Sequence, residues 1–139
     1  MISKVYEVGA LKTYKYVVVL STCCGKIMLS RHKARTTWET QGGHVEPGEA
    51  PLEAAKRELY EETGAQDFDI MPLFDYAVDT PASWANGQVF FVSVRSFGPM
   101  PDFEMAQIAH FETYPEKMRF PSILPELYRE TIKRLENQL

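Results

Sequence analysis

The chain has 139 residues, of which 45% are hydrophobic and 24% charged, and its formal net charge is −4. This length and composition predict one domain with a hydrophobic core and exclude a disordered chain. The mildly acidic balance argues against a protein that coats nucleic acid, so we expect no stable nucleic-acid binding. A charged substrate that binds in a local pocket is compatible with this net charge.

The two cysteines of the sequence, Cys23 and Cys24, are adjacent. Neither has a partner elsewhere in the chain, so no disulfide framework or cysteine-based zinc site is implied, and reduced thiols are expected. The longest aliphatic run, residues 17–20, is too short to span a bilayer, and no signal-peptide pattern precedes it. These features predict a cytoplasmic protein that does not bind membranes and is a monomer or a homodimer.

Hydrophobic periodicity and turn residues divide the chain into strands and two helices. The helices are predicted over residues 51–63 and 124–139, Pro72 predicts an edge or a bulge in its strand, and Asn86-Gly87 predicts a tight turn. The predicted strands cover residues 5–8, 14–22, 27–32, 38–41, 68–78, 89–94 and 108–111. Strands, helix, strands and helix in this order are typical of an α/β fold with a mixed β-sheet between two helices.

The first predicted helix has an acidic face. Pro51 suits the first helical position, and Gly64 suits the left-handed residue that ends a helix. Glu58, Glu61 and Glu62 stand at i, i+3 and i+4, so their carboxylates share one face and repel one another. A hard cation such as Mg²⁺, which prefers carboxylate oxygens, removes this conflict. The alternative is an acidic face that simply contacts water.

The residues around this helix form a longer pattern, G-x5-E-x7-R-E-U-x-E-E-x-G-U, in which U is apolar. The residues that fill it are Gly43, Glu49, Arg57, Glu58, Leu59, Glu61, Glu62, Gly64 and Ala65. Residues 43–65 thereby resemble the signature of the Nudix (MutT-type) hydrolase family, with every specified position filled. The resemblance implies a single Nudix domain over residues 1–139, folded as an α/β/α sandwich with a mixed β-sheet between helices.

The resemblance also implies a chemistry, because Nudix hydrolases cleave nucleoside diphosphates linked to another group with the help of Mg²⁺, which Mn²⁺ can replace. Arg57 matches the family's orienting arginine. Glu104 matches a further family glutamate, and either it or a glutamate of residues 43–65 is the implied general base; a solvated loop acid is the alternative for Glu104. The implied metal ligands are Glu58, Glu61, Glu62, Glu49 and a backbone carbonyl near Gly43.

A basic loop, defined by Arg31, His32, Lys33 and Arg35, precedes the acidic helix. Arginine binds phosphate oxygens in a bidentate way, so we expect Arg31 and Arg35, together with Gly43, to contact the substrate. A solvated loop is the alternative.

The basic loop favours a nucleoside triphosphate as the substrate, including an oxidised one such as 8-oxo-dGTP. Gln41 stands where the family often has proline, as it does in dinucleoside polyphosphate and RNA-end hydrolases. The rest of the pattern of those subfamilies is absent. The alternatives are ADP-ribose, a dinucleoside polyphosphate, and a nucleotide sensor of the same fold that does not cleave its ligand. Fold alone does not decide among them.

Overall fold

In the computed structural model of the protein, residues 4–79, 84–99, 105–113, 115 and 123–136 are described. They form seven strands and two helices. The elements are β1 (Lys4–Glu7), β2 (Tyr16–Cys23), β3 (Lys26–His32), β4 (Gln41–His44), α1 (Pro51–Thr63), β5 (Ala65–Asp79), β6 (Trp84–Phe97), β7 (Met105–Phe111) and α2 (Leu124–Glu136). Residues 137–139 of the predicted second helix lie outside the described ranges.

The strands form one sheet in the order β1-β5-β6-β2-β3-β7, and β4 pairs with the first half of β2. The central pair, β2 and β6, is parallel. The pairs β1–β5, β2–β3, β2–β4, β3–β7 and β5–β6 are antiparallel. The sheet is therefore mixed, as the sequence predicts.

Alternation along the central strands produces two hydrophobic cores. Val17 and Val19 belong to the core that contains Leu59 of α1, whereas Val18 belongs to the core that contains Leu127 of α2. Both leucines are fully buried, and each such side chain contributes roughly 1.5–3 kcal/mol relative to an exposed one. The two helices thus cover opposite faces of the sheet, which confirms the predicted α/β/α sandwich.

Helix α1 has the bounds predicted from the sequence. Pro51 occupies its first turn, and Gly64 ends it at a φ of 75°, where the Gly64 N–H donates to the Tyr60 carbonyl over 2.8 Å. Ala50 has no side chain that can cap the helix, but its N–H donates to Oε1 of Glu53 over 3.0 Å. The reciprocal half of a capping box therefore compensates in part for the missing cap.

The structure differs from the sequence prediction at Asn86-Gly87 and at residues 38–41. The tight turn predicted at Asn86-Gly87 is wrong, because both residues lie inside β6. The strand predicted at residues 38–41 is displaced, since β4 begins only at Gln41 and the two residues Trp38 and Glu39 are isolated bridge residues, Glu39 with Ser30. The irregularity predicted at Pro72 is confirmed, because the pairing of β5 with β6 shifts there.

In the ranges that the structure describes, neither helix has the length and hydropathy to cross a membrane.

Candidate functional site

Arg57 connects helix α1 to the loop that follows β4. Its Nε and Nη2 atoms donate to the two carboxylate oxygens of Glu49 over 2.8 and 3.0 Å, and Nη1 donates to Oε1 of Glu58 over 2.7 Å. Nη2 also donates to the His44 carbonyl over 3.0 Å, and Nη1 lies 3.6 Å from Oε2 of Glu61. One planar guanidinium thereby orients carboxylates from both the loop and the helix, as a bidentate cation can.

The pKa values of Glu49 and Glu58, which both bind Arg57, are shifted in opposite directions. Hydrogen bonds from Arg57 are the main cause that lowers the pKa of Glu49 to about 2. Glu49 is therefore ionised at neutral pH. The pKa of Glu58 is raised instead, because burial penalises its charged form more than Arg57 stabilises it.

Gly43 leaves room for the Glu58 carboxylate. A Cβ atom on Gly43 would lie 2.5 Å from Oε1 of Glu58, closer than non-bonded atoms approach. Gly42 has a φ of 151°, and a Cβ on it would lie within 2.3 Å of the Val17 carbonyl oxygen. A side chain at position 42 would therefore collide with the backbone of β2, whereas one at position 43 would displace the Glu58 carboxylate from its present position.

Glu62 is the most buried of the three helical carboxylates. It is 9% exposed, and its Oε1 accepts a hydrogen bond from the Gly42 N–H over 2.8 Å. Burial raises its pKa to about 9, and the negative charges of Glu58, Glu39 and Glu61 add to the shift. Without a cation this carboxyl group is therefore held protonated at neutral pH.

Glu39 was missed in the sequence interpretation, and Gln41 was named there only for its place before the glycine pair. Glu39 is 8% exposed, its charge acts on Glu62, and Nη1 of Arg35 lies 3.9 Å from its Oε2. Gln41 is fully buried and donates to the Ser30 hydroxyl over 3.0 Å. Residues 39, 41 and 43 are spaced by two, as are residues on one face of a strand. This spacing was the signal that could have placed Glu39 and Gln41 on the same face as Gly43.

Gln41 connects the sheet to the end of α1. Its Oε1 accepts a hydrogen bond from the Ser21 hydroxyl, and its Nε2 lies 3.4 Å from the Met28 carbonyl oxygen. The Ser30 hydroxyl in turn donates to the Glu62 carbonyl over 3.3 Å. A buried polar network favours a single side-chain arrangement when every polar group in it has a hydrogen-bond partner. Here the network fixes Gln41, the residue directly before Gly42, whose N–H binds Glu62.

The two arginines of the basic loop have protein partners. Arg31 donates to the Arg35 carbonyl over 2.9 Å and to Oε1 of Gln107 over 3.2 Å. Arg35 faces the buried Glu39. Arg31 and His32 lie at the end of β3, so only Lys33 and Arg35 belong to a loop. The two arginines are held between β7 and the residues before β4, and their predicted contact with substrate stays a prediction. Glu104, the further predicted glutamate, lies outside the described residues.

The predicted metal ligands fit a hard divalent cation by donor type and charge. Glu58, Glu61 and Glu62 offer only oxygen atoms, which Mg²⁺ prefers. Burial is the main cause that raises the pKa values of Glu58 and Glu62, and neighbouring carboxylates add to it. A bound cation would favour the ionised form of both groups. In the described part of the chain no three acidic, histidine or cysteine side chains are arranged to hold a metal ion, and Arg57 binds the carboxylates of Glu49 and Glu58 instead.

The raised pKa of Glu62 predicts a pH-dependent stability in a metal chelator. Its pKa rises from 4.5 to about 9 on folding, so between these values the native state binds more protons than the unfolded state. The free energy of unfolding is then expected to fall as pH rises through this window, by an amount on the order of a few kcal/mol. Urea unfolding of the wild type and of Glu62→Gln, measured across the window, checks this.

Glu62→Gln lacks the titrating group and is the matched control for that pH dependence. Its stability should change less steeply with pH than that of the wild type, and it should be the more stable protein near pH 8. Parallel curves for the two proteins would show that Glu62 is ionised in the native state.

Comparisons with known proteins agree on one family. The model of the NUDIX domain matches residues 13–119. YtkD of Bacillus subtilis, provisionally named an 8-oxo-dGTP diphosphatase, is 33% identical over 105 residues, which cover 75% of this chain and 66% of YtkD. An RNA pyrophosphohydrolase of Francisella philomiragia is 40% identical over 53 residues, so the match spans only 38% of this chain and 34% of that enzyme.

A solved structure extends the likeness to the whole fold. The pyrophosphohydrolase BsRppH of Bacillus subtilis, crystallised as a point mutant, superposes with a TM-score of 0.83. The sequences are 26% identical, and the superposition covers 97% of this chain and 90% of BsRppH. The α/β/α sandwich described above is therefore the fold of that enzyme.

Proposed function

The chain belongs to the Nudix hydrolase family, and from this premise we propose that it is a Mg²⁺-dependent pyrophosphohydrolase that acts on nucleotide-type substrates. Nudix hydrolases generally use divalent metal ions. The observation that carries the proposal is the packing of the acidic face of α1 against Gly42 and Gly43, with Arg57 orienting the carboxylates. A solvated acidic face would not need two glycines and a buried Glu62.

The protein's own residues have separate tasks in this proposal. Glu58, Glu61 and Glu62, supported by Glu49 and a carbonyl near Gly43, would hold Mg²⁺, or Mn²⁺ in its place. A bound cation of this kind polarises phosphoryl oxygens and offsets their negative charge. Phosphoryl transfer requires mainly positioning and charge stabilisation from the protein.

Arg57 performs part of that positioning. It holds the ionised Glu49 and also Glu58, so that two carboxylates keep fixed positions relative to the helix. The Gly42 N–H fixes Glu62 in the same way. The general base is either a glutamate of residues 43–65 or Glu104. The Nudix domain is proposed to span residues 1–139, beyond the matched residues 13–119.

A nucleoside triphosphate, including an oxidised one, is the proposed substrate. The basic loop before the acidic helix supports this class, and so does the name given to YtkD. A second candidate is the 5′-triphosphate end of an RNA, which is favoured by the RNA pyrophosphohydrolase relative.

The test is a hydrolysis screen with Mg²⁺ or Mn²⁺. The panel contains the four deoxynucleoside triphosphates, 8-oxo-dGTP, ADP-ribose, a dinucleoside tetraphosphate and a 5′-triphosphorylated RNA. Pyrophosphate or phosphate release from at least one triphosphate, abolished by a chelator, is expected. Binding of a nucleotide without any hydrolysis would contradict the proposal and would identify a sensor.

The basic loop provides a prediction about substrate class. A charge-assisted contact to phosphate contributes roughly 1.5–3 kcal/mol, so Arg31→Ala or Arg35→Ala should reduce kcat/KM by about ten- to a hundredfold. The loss should be larger for a triphosphate than for a diphosphate sugar if the loop holds terminal phosphates. Steady-state kinetics of both variants on both substrates measure this.

Lys33→Ala is the matched control, because Lys33 is an exposed member of the same loop and lacks the planar fork of arginine. Thermal unfolding of each variant shows whether loss of the Arg31–Gln107 contact has loosened the loop. Small and equal losses in all three variants, on both substrates, would show that the loop is solvated surface.

A further inference from the structure

The turn between β2 and β3 contains an unusual residue for its conformation. Cys24 has a φ of 57° and Gly25 a φ of 78°, and Cys23 pairs with Lys26 across the turn. Such a two-residue turn with two positive φ values strongly prefers Asn-Gly, Asp-Gly or Gly-Gly. Any residue with a Cβ atom other than asparagine or aspartate is disfavoured at a positive φ. Cysteine is therefore an unfavourable residue type at position 24.

The left-handed conformation brings two sulfur atoms together. Neighbouring residues of a regular strand point to opposite faces, which would separate adjacent cysteines. Here the chain reverses at Cys24, and the Sγ atoms of Cys23 and Cys24 are 3.7 Å apart. Cys24 is exposed, and Cys23 is half-buried against the core beneath α1. The result is a pair of adjacent thiols, of which that of Cys24 is exposed to solvent.

This dithiol is poorly suited to form an internal disulfide. The peptide between the two residues is trans, which places consecutive Cα atoms about 3.8 Å apart. Disulfides usually join residues whose Cα atoms are about 4.4–6.8 Å apart. The pair is therefore favoured as two thiols, and burial raises the pKa of the Cys23 thiol, assisted by its hydrogen bond with Cys24.

We propose that Cys23 and Cys24 form a bidentate site for a thiophilic d¹⁰ cation of the Zn²⁺ and Cd²⁺ class. Two thiolates bound at about 2.3 Å to one tetrahedral zinc ion lie roughly 3.8 Å apart, close to the 3.7 Å between these sulfurs. Soft thiolate ligands select such cations over Mg²⁺, so this site is distinct from the carboxylates of α1.

The proposed site is open. In the described ranges no third histidine, cysteine, aspartate or glutamate joins the two sulfurs in a group that could hold a metal. Water or a small ligand then completes the coordination, unlike in a closed structural zinc site. Binding displaces thiol protons, so affinity should rise with pH.

Cd²⁺ titration of the full chain in excess Mg²⁺ tests the site. The excess Mg²⁺ competes for the carboxylates, and a thiolate-to-cadmium charge-transfer band in the ultraviolet reports only sulfur ligation. One Cd²⁺ per chain, with a saturating band, is expected. No band, or saturation at one Cd²⁺ for two chains, would overturn the proposal.

Cys24→Asn is the decisive variant, because asparagine suits the left-handed turn. It should melt at the same or a higher temperature than the wild type, show at most about half of the band at saturation, and bind Cd²⁺ at least about tenfold more weakly, since one of two thiolate bonds is removed. Cys23→Ser should weaken the band and the binding in the same way. A band of wild-type intensity, formed at the same Cd²⁺ concentration in Cys24→Asn as in the wild type, would contradict the bidentate site.

Discussion

Glu62→Gln is expected to lower kcat for nucleotide hydrolysis by about 10²–10⁴-fold and to leave the fold intact. A metal ligand supports several kcal/mol of charge stabilisation at the transferred phosphoryl group, and each 1.36 kcal/mol corresponds to a tenfold change in rate. Glutamine retains the hydrogen bond from the Gly42 N–H but not the negative charge. Glu61→Gln should have an effect of the same order, and steady-state kinetics with Mg²⁺ measure both.

Glu53→Gln is the matched control on the same helix. Glu53 is exposed and accepts the Ala50 N–H at the start of α1, a task that glutamine also performs. This variant should retain wild-type activity. Equal activity of Glu61→Gln, Glu62→Gln and Glu53→Gln would refute the assignment of the acidic face as the metal site.

Arg57→Lys is expected to reduce kcat by about ten- to a hundredfold with little change in KM. Lysine keeps the positive charge but loses the planar fork that binds both oxygens of Glu49 and also Glu58. Misplaced carboxylates weaken interactions made in the transition state more than those with bound substrate, which lowers kcat selectively. Initial rates over a range of substrate concentrations separate the two parameters.

Arg95→Lys serves as the comparison for that substitution. Arg95 also binds carboxylates with its planar fork, but its partners are Asp67 and Asp69 at the sheet surface. Its replacement should leave both kcat and KM unchanged. A strong rise in KM with an unaltered kcat in Arg57→Lys would contradict this prediction, because it would show that Arg57 binds the substrate and does not orient the carboxylates.

Elements defined by local sequence were predictable. The bounds of α1 follow from Pro51 and Gly64, and both act at the helix ends as expected. The mixed sheet between two helices follows from the order of apolar segments. The turn at Asn86-Gly87 failed because tertiary contacts override local preference: the Asn86 side chain binds the Lys15 N–H and the Thr13 carbonyl, and the Tyr76 ring packs against Gly87.

The candidate site was predictable only in part. Helical spacing alone places Glu58, Glu61 and Glu62 on one face. Period-two spacing could place Glu39 and Gln41 on one face with Gly43, but their burial depends on how this segment packs against α1, which no local pattern contains. The partners of Arg31 likewise depend on the pairing of β3 with β7. Long-range contacts therefore decide which charged residues are free to meet a substrate.

The most direct test of the central claim is the rate of triphosphate hydrolysis as a function of free Mg²⁺, in the wild type and in Glu62→Gln. We expect no turnover in a chelator, a saturable rise with Mg²⁺ in the wild type, and a much lower plateau with weaker Mg²⁺ dependence in the variant. Hydrolysis that persists in the chelator, or identical Mg²⁺ curves for the two proteins, would contradict it.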